Sequence, residues 1–258
     1  MSLRERLAAG EAVDFDVYDM HAHIGRYSHG IPSLDPATIV DVMDRLGVRS
    51  TVVSHLQCIS WDVHWGNDRV HEAMLAHPGR ILGYASMFPR SRSFVKEEAE
   101  LRAEQGFAGF KFHNGNGFAY DETDYAPAWA VADRHRMPIL FHTWGSEDVM
   151  RQIGKVAEMA PGAFILLGHS TSSNYDLYIR MAEKYPNVFL ELCGSLAALG
   201  SIEYLVSHAG AEKVIWGSDC DFYSMAQQFG RIMGCRCTDD EKRRMMSLNA
   251  AAILNARI

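Results

Sequence analysis

The 258-residue chain has no uninterrupted apolar run near the roughly 20 residues that a membrane-spanning helix needs. Its opening, MSLRERLAAGEAVDF, has no secretory apolar core either, so a cytoplasmic protein is expected. Basic residues are too few and too scattered for a polyanion surface: 25 Lys and Arg face 32 Asp and Glu, a formal net charge of −7. Nucleic acid and anionic membranes are therefore excluded as partners, leaving a small-molecule substrate, with homo-oligomer formation left open. Cysteine is scarce, five residues in all, an odd number with no disulfide-framework spacing. Cys235 and Cys237 lack a second Cys or His pair nearby, so reduced thiols outside the site are expected. With only 8 prolines and no linker or low-complexity tract, nothing divides the chain, and residues 1–258 are read as a single domain.

What is present is a regular alternation. Short apolar runs open near Val17 and continue at 50–54, 81–87, 107–113, 138–142, 163–169, 188–192 and 214–219, with amphipathic or capped helical segments between them. One such helix is signalled by Asp35-Pro36 at its start and Gly47 at its stop, and another by Thr238 ahead of the last long helix. Apolar runs without polar alternation suit parallel strands buried on both faces. Eight strand-helix units in this length predict a closed (β/α)8 TIM barrel, an α/β fold, over an open doubly wound sheet.

Polar residues fall at the ends of these strands. His21 and His23 stand i and i+2 on the first strand, so their side chains share one face. His55 ends the second strand, Lys111 and His113 the fourth, His142 the fifth and His169 the sixth; Glu191 lies in the seventh and Asp219 ends the eighth. In a barrel these ends form one rim, where active sites are built. Ionisable groups are rarely buried without partners, so the set points to a divalent metal site, with Zn²⁺, Mn²⁺, Fe²⁺ and Co²⁺ all suited to the donors. Trp61, Trp65 and Trp144 lie just past strand ends, where they could wall a pocket; Arg26 and Arg90 could hold a substrate carboxylate.

The ordered set DMHAHIG, GFKFH, PILFHTW, LLGHS, IWGSDCDF and SLNAAAIL resembles amidohydrolase family 2, the barrel hydrolases and decarboxylases of the amidohydrolase superfamily, over essentially the whole chain. The resemblance implies that His21, His23 and His142 bind the principal ion, most simply Zn²⁺, with Asp219 as further ligand or general base and His169 as the second catalytic group. It also implies a choice for Lys111, which in binuclear members is carbamylated and bridges two metals; one ion is the expectation here. Lys111, His113 and Glu191 stand as candidates for a second metal or for substrate contact. The family commonly has proline after its K-x-H pair, whereas this chain has Asn114.

The main expectation is a metal-dependent hydrolase of a small amide, ester or lactone using metal-activated water. The alternative is a non-oxidative decarboxylase of an aromatic or unsaturated acid, for which an arginine against the departing carboxylate is expected. A non-catalytic metal-stabilised scaffold would lack the water-activating pair, and both His169 and Asp219 are present.

Overall fold

The computed structural model describes residues 2–27, 35–59, 62–194, 198–220 and 222–256; Trp61 lies outside them. Eight strands form one parallel sheet in sequence order: β1 (Val17–Ile24), β2 (Val48–His55), β3 (Ile81–Ser86), β4 (Gly109–Phe112), β5 (Pro138–Phe141), β6 (Phe164–Leu167), β7 (Val188–Glu191) and β8 (Val214–Ile215). The sheet closes on itself past β8, where Met20 N donates to Trp216 O (3.1 Å), Ser218 N to His21 O (3.2 Å) and His23 N to Cys220 O. The fold is a (β/α)8 TIM barrel. The run expected to be a strand through Asp219 is regular only to Ile215: Trp216 N already donates to Met245 O, outside the sheet, and Asp219 takes a left-handed backbone (φ 52°).

Eleven α-helices occur among the described residues: α1 (Leu3–Ala8), α2 (Pro36–Leu46), α3 (Val63–Ala76), α4 (Arg92–Glu104), α5 (Ala126–Arg134), α6 (Glu147–Met159), α7 (Tyr175–Lys184), α8 (Ser201–Ala209), α9 (Met225–Gly234), α10 (Asp239–Arg243) and α11 (Asn249–Asn255). Asp35 caps α2 through Thr38 N at 3.0 Å, and Gly47 ends it with φ 71°, as its flanking residues predict. The sequence reading passes over α9, whose buried face (Met225, Phe229, Ile232, Met233) also carries the polar Gln228. The last long helix is continuous but not uniform: α10 and α11 are joined by a π-helical turn over Arg244–Leu248.

Two apolar layers follow from the strand pleat. Most buried apolar residues lie between strands and helices, whereas Met20, Val52, Tyr84, Ala108, Leu140, Leu166 and Ile215 form a separate cluster. Tyr84 Oη donates to Met20 O at 3.1 Å, crossing from β3 to β1 through the barrel interior. Ala250 and Ile253 of α11 join this cluster together with Tyr18, Leu82, Phe164 and Phe189 near strand starts, so α11 covers the N-terminal end of the barrel.

The register of β1 on β2 shifts between Asp19↔Thr51 and Ala22↔Val53, so that Met20 and His21 together oppose Val52. Such a bulge leaves two consecutive side chains on one face. Met20 fills the interior, and His21 and His23 above it point to the C-terminal rim.

Candidate metal centre and active site

Asp19 fixes the seam on which the site is built. Fully buried, it accepts hydrogen bonds from Ser218 Oγ (2.6 Å), Ser218 N (2.8 Å), Thr51 Oγ1 (3.0 Å) and His21 N (3.2 Å). Burial pushes its carboxyl up to about 7, against those hydrogen bonds. Gly217 is required beside it: a Cβ there would fall 2.6 Å from His21 Cβ and into the Glu191 carboxylate.

Both rim histidines of β1 are held through Nδ1. Glu191 Oε2 lies 3.0 Å from His21 Nδ1, and Ser54 Oγ lies 3.0 Å from His23 Nδ1. Their Nε2 atoms turn to one carboxylate oxygen, Asp219 Oδ1, at 3.5 Å from His21 and 3.0 Å from His23. The three donors lie within 4.8 Å of one another and all are buried. Burial, with Lys111 adding to it, holds both histidines well below their ordinary pKa, so both imidazoles are neutral and carry lone pairs. A partner on the other ring nitrogen is the usual support of a ligating histidine. The set therefore fits a divalent cation.

The remaining rim residues surround this cluster. His169 and Asp219 both have left-handed backbones, φ 64° and 52°. Such conformations cost of order 1–3 kcal/mol each and persist where neighbours over-determine them. Here His169 N donates to Glu191 Oε2 at 3.2 Å and Asp219 N to His21 O at 2.6 Å. His169 Nδ1 is 3.9 Å from Asp219 Oδ2, and His169 Nε2 is 3.0 Å from His142 Nδ1. Burial lowers His169 to about 3 and holds His142 well below its ordinary value, so these rings too are neutral.

Lys111 Nζ lies 2.8 Å from His21 Nε2, and burial lowers its ammonium to about 8 against the pull of Asp219, Cys193 and Glu191. His113, on the same strand face, instead stacks on His142 with ring centroids 3.9 Å apart. Glu191 touches His21 and the backbones of His169 and Cys193, which makes it the carboxylate that orients His21. His55 is buried away from the cluster, its Nδ1 accepting from Gln57 N and its ring against Trp65.

A cavity of about 340 Å³ opens over the cluster, lined by His23, Tyr27, Ile59, His113, His142, Trp144, His169, Asp219, Phe222 and Tyr223. Trp144 lies parallel to the His169 ring, 3° between planes and 5.0 Å between centroids. Trp65 lines a separate groove with His55 and Arg69. None of the described lining residues is an arginine; Arg90 sits over the Phe94 ring at 5.5 Å.

Asn114, where the family commonly has proline, has a structural reason. Its N–H donates to Tyr120 Oη at 3.0 Å, and that hydroxyl donates to His142 O at 2.6 Å. Proline has no N–H to give.

Sequence reasoning placed all the cysteines outside the site, and the structure corrects this for Cys193. Its Sγ lies 2.9 Å from Glu191 Oε2, 3.1 Å from His169 Nδ1 and 3.3 Å from His21 Nδ1. The available signal was its i+2 spacing from Glu191 on an extended segment. Ser54 and Asp19 were also passed over, since their roles depend on the β1/β2 register.

The family model described as amidohydrolase, that of amidohydrolase family 2, matches residues 18–256. No curated protein matches the chain in sequence. Among solved structures, 2,6-dihydroxybenzoate decarboxylase from Rhizobium is similar with a TM-score of 0.74 at 14% identity, over 93% of this chain and 99% of that one. A 5-carboxyvanillate decarboxylase from Novosphingobium aromaticivorans with bound manganese gives 0.75 at 14% identity, over 94% and 97%. A dihydroxybenzoic acid decarboxylase from Polaromonas with bound manganese and the inhibitor 2-nitroresorcinol gives 0.74 at 15% identity, over 93% and 97%.

Proposed function

The chain belongs to amidohydrolase family 2, and on that premise we propose that it is a metal-dependent, non-oxidative decarboxylase of a small aromatic acid. The observation that carries the reading is the cavity: a polar floor of His23, Asp219, His142 and His169 under aromatic walls of Tyr27, Trp144, Phe222 and Tyr223. A volume of about 340 Å³ suits a single-ring acid, at the small end of ligand pockets. The similar structures named above are decarboxylases of hydroxylated benzoic acids, which favours this reaction over the hydrolysis expected first.

His21 and His23 through Nε2, with Asp219, would hold the ion, and His142 is the next imidazole on the cavity wall. A divalent cation held there would supply a Lewis acid for the substrate's anionic oxygens and for the negative charge returned to the ring as CO2 leaves. We favour Mn²⁺ over Zn²⁺, because manganese is the ion named in two of the similar structures.

The chain's own residues then have separable tasks. Aromatic walls orient the ring and exclude water. Asp219, with Oδ2 facing His169 and Oδ1 facing His23, delivers a proton to the ring carbon that bears the carboxylate. The bond to the carboxylate then breaks, its electron pair returns to the ring and CO2 leaves. After CO2 and product leave, His169 relays a proton from solvent to Asp219, gaining one at Nε2 as it gives one up at Nδ1. With no arginine among the described lining residues, the neutral His142 and His169 rings face the departing group.

The test is isotopic. Mn²⁺-loaded protein is incubated with a panel of hydroxybenzoates in D2O and with aromatic esters and lactones in H2¹⁸O. Decarboxylation yields CO2 and a product with a single deuterium at the vacated carbon. Solvent ¹⁸O in a carboxylate product, with no CO2 from any acid, would overturn the proposal in favour of hydrolysis.

A further inference from the structure

Cys193 belongs to a second donor set that the proposed reaction does not use. Its Sγ, His21 Nδ1 and His169 Nδ1 come from the ends of β7, β1 and β6, all three residues are buried, and their donor atoms lie within 4.8 Å of one another. The separations from sulfur, 3.3 Å to His21 Nδ1 and 3.1 Å to His169 Nδ1, lie a few tenths of an ångström inside the roughly 3.5 Å edge of a tetrahedron with zinc–nitrogen bonds of about 2.0 Å and a zinc–sulfur bond of about 2.3 Å, so a cation of that size or larger enters by spreading the three donors. Glu191 Oε2, 2.9 Å from the sulfur and 3.0 Å from His21 Nδ1, stands at a fourth corner. From these distances we infer that the rim contains a buried thiolate site for a thiophilic divalent cation such as Cd²⁺, formed by Cys193, His169 and Nδ1 of His21.

This set shares His21 with the first and differs from it in softness. His21, His23 and Asp219 offer two nitrogens and an oxygen, which accept hard and borderline ions; the thiolate selects soft ones. On binding, the S–H bond of Cys193 breaks and its electron pair makes the sulfur–cation bond. The thiol proton passes by way of Glu191 Oε2, which the thiol already faces, to solvent, and the proton on His21 Nδ1 moves to His21 Nε2, which frees the Nδ1 lone pair for the cation. His21 Nδ1 is then withdrawn from Glu191, the contact that orients its Nε2. Occupancy of the thiolate site therefore inhibits the enzyme.

The probe is Cd²⁺ added to the full chain carrying Cys235→Ser and Cys237→Ser, which removes the half-buried thiol pair near the surface. The expected result is a sulfur-to-cadmium charge-transfer band in the ultraviolet, saturating at about one equivalent. The band disappears when Cys193→Ser is added, although Mn²⁺ still binds and the circular dichroism is unchanged. His169→Gln, the second variant, should weaken the cadmium affinity read from the band by roughly 10- to 100-fold. No band in the Cys235→Ser/Cys237→Ser chain, or a band that survives Cys193→Ser, overturns the site. The band is read without substrate, so it stands or falls separately from the decarboxylase assignment.

Discussion

At the N-terminal end of the barrel, Tyr18, Leu82, Phe164 and Phe189 close on Ala250 and Ile253 of α11 in an apolar plug. At the C-terminal end of the same strands, four histidines, a lysine, a glutamate and an aspartate are packed into each other's hydrogen-bonding distance, and most are as buried as the plug. The difference lies in what burial does at each end. Below, removing apolar surface from water stabilises the fold by about 25 cal/mol per Å². Above, the same removal strips protons from imidazoles and holds Lys111 near 8, leaving these side chains in the neutral state that ligation and proton relay require. Buried left-handed residues mark the upper end, where His169 and Asp219 lie, whereas Arg136, left-handed just ahead of β5 at the lower end, is exposed.

The comparison can be broken most severely at Asp219. Asp219→Asn should reduce CO2 release by roughly 100- to 10,000-fold, the range for losing a positioned acid-base group, with an unchanged melting temperature. A variant that retains full turnover would remove Asp219 from the chemistry. The mirror-image change is Ile253→Ala in the plug, which should cost about 2–5 kcal/mol in urea unfolding and leave Mn²⁺ content and turnover per folded molecule intact. If that variant lost metal instead, the two ends would not be separable.

Smaller effects sharpen the boundary between ligands and their supports. Glu191→Gln leaves His21 with a weaker Nδ1 acceptor, so a chelator competition should show roughly 10- to 100-fold weaker Mn²⁺ binding. Unaltered affinity would show that Glu191 does not tune the site. Asn114→Pro deletes the N–H that Tyr120 Oη accepts and should lower stability by about 1 kcal/mol, measured by thermal unfolding, with little change in metal binding.

The barrel was legible because its signals are local. Each apolar run, each cap such as Asp35 and each stop such as Gly47 can be read within a dozen residues. Among the rim residues, those that end strands were legible for the same reason: eight strands in order place His21, His23, Lys111, His142, His169, Glu191 and Asp219 on one edge. What was not legible depends on register. The bulge that lets Met20 and His21 share a face decides that Ser54 supports His23, and no periodicity in β1 announces it. Cys193 gives no signal by cysteine spacing, a criterion suited to disulfides and zinc ribbons, because its partners come from three separate strands. Helix α9 is hard to read from sequence because its buried face includes Gln228, which donates to Gly194 O, among Met225, Phe229, Ile232 and Met233.

The central claim is that strand ends remote in sequence converge on one ion through Nε2 of His21, Nε2 of His23 and the Asp219 carboxylate. Its most direct test is the metal content of protein reconstituted with Mn²⁺ and freed of excess, compared with the His23→Ala variant treated identically. About one ion per chain in the parent, and a small fraction of that in a variant with native circular dichroism, is the predicted result. Equal occupancy in the two proteins, or none in the parent, would contradict it.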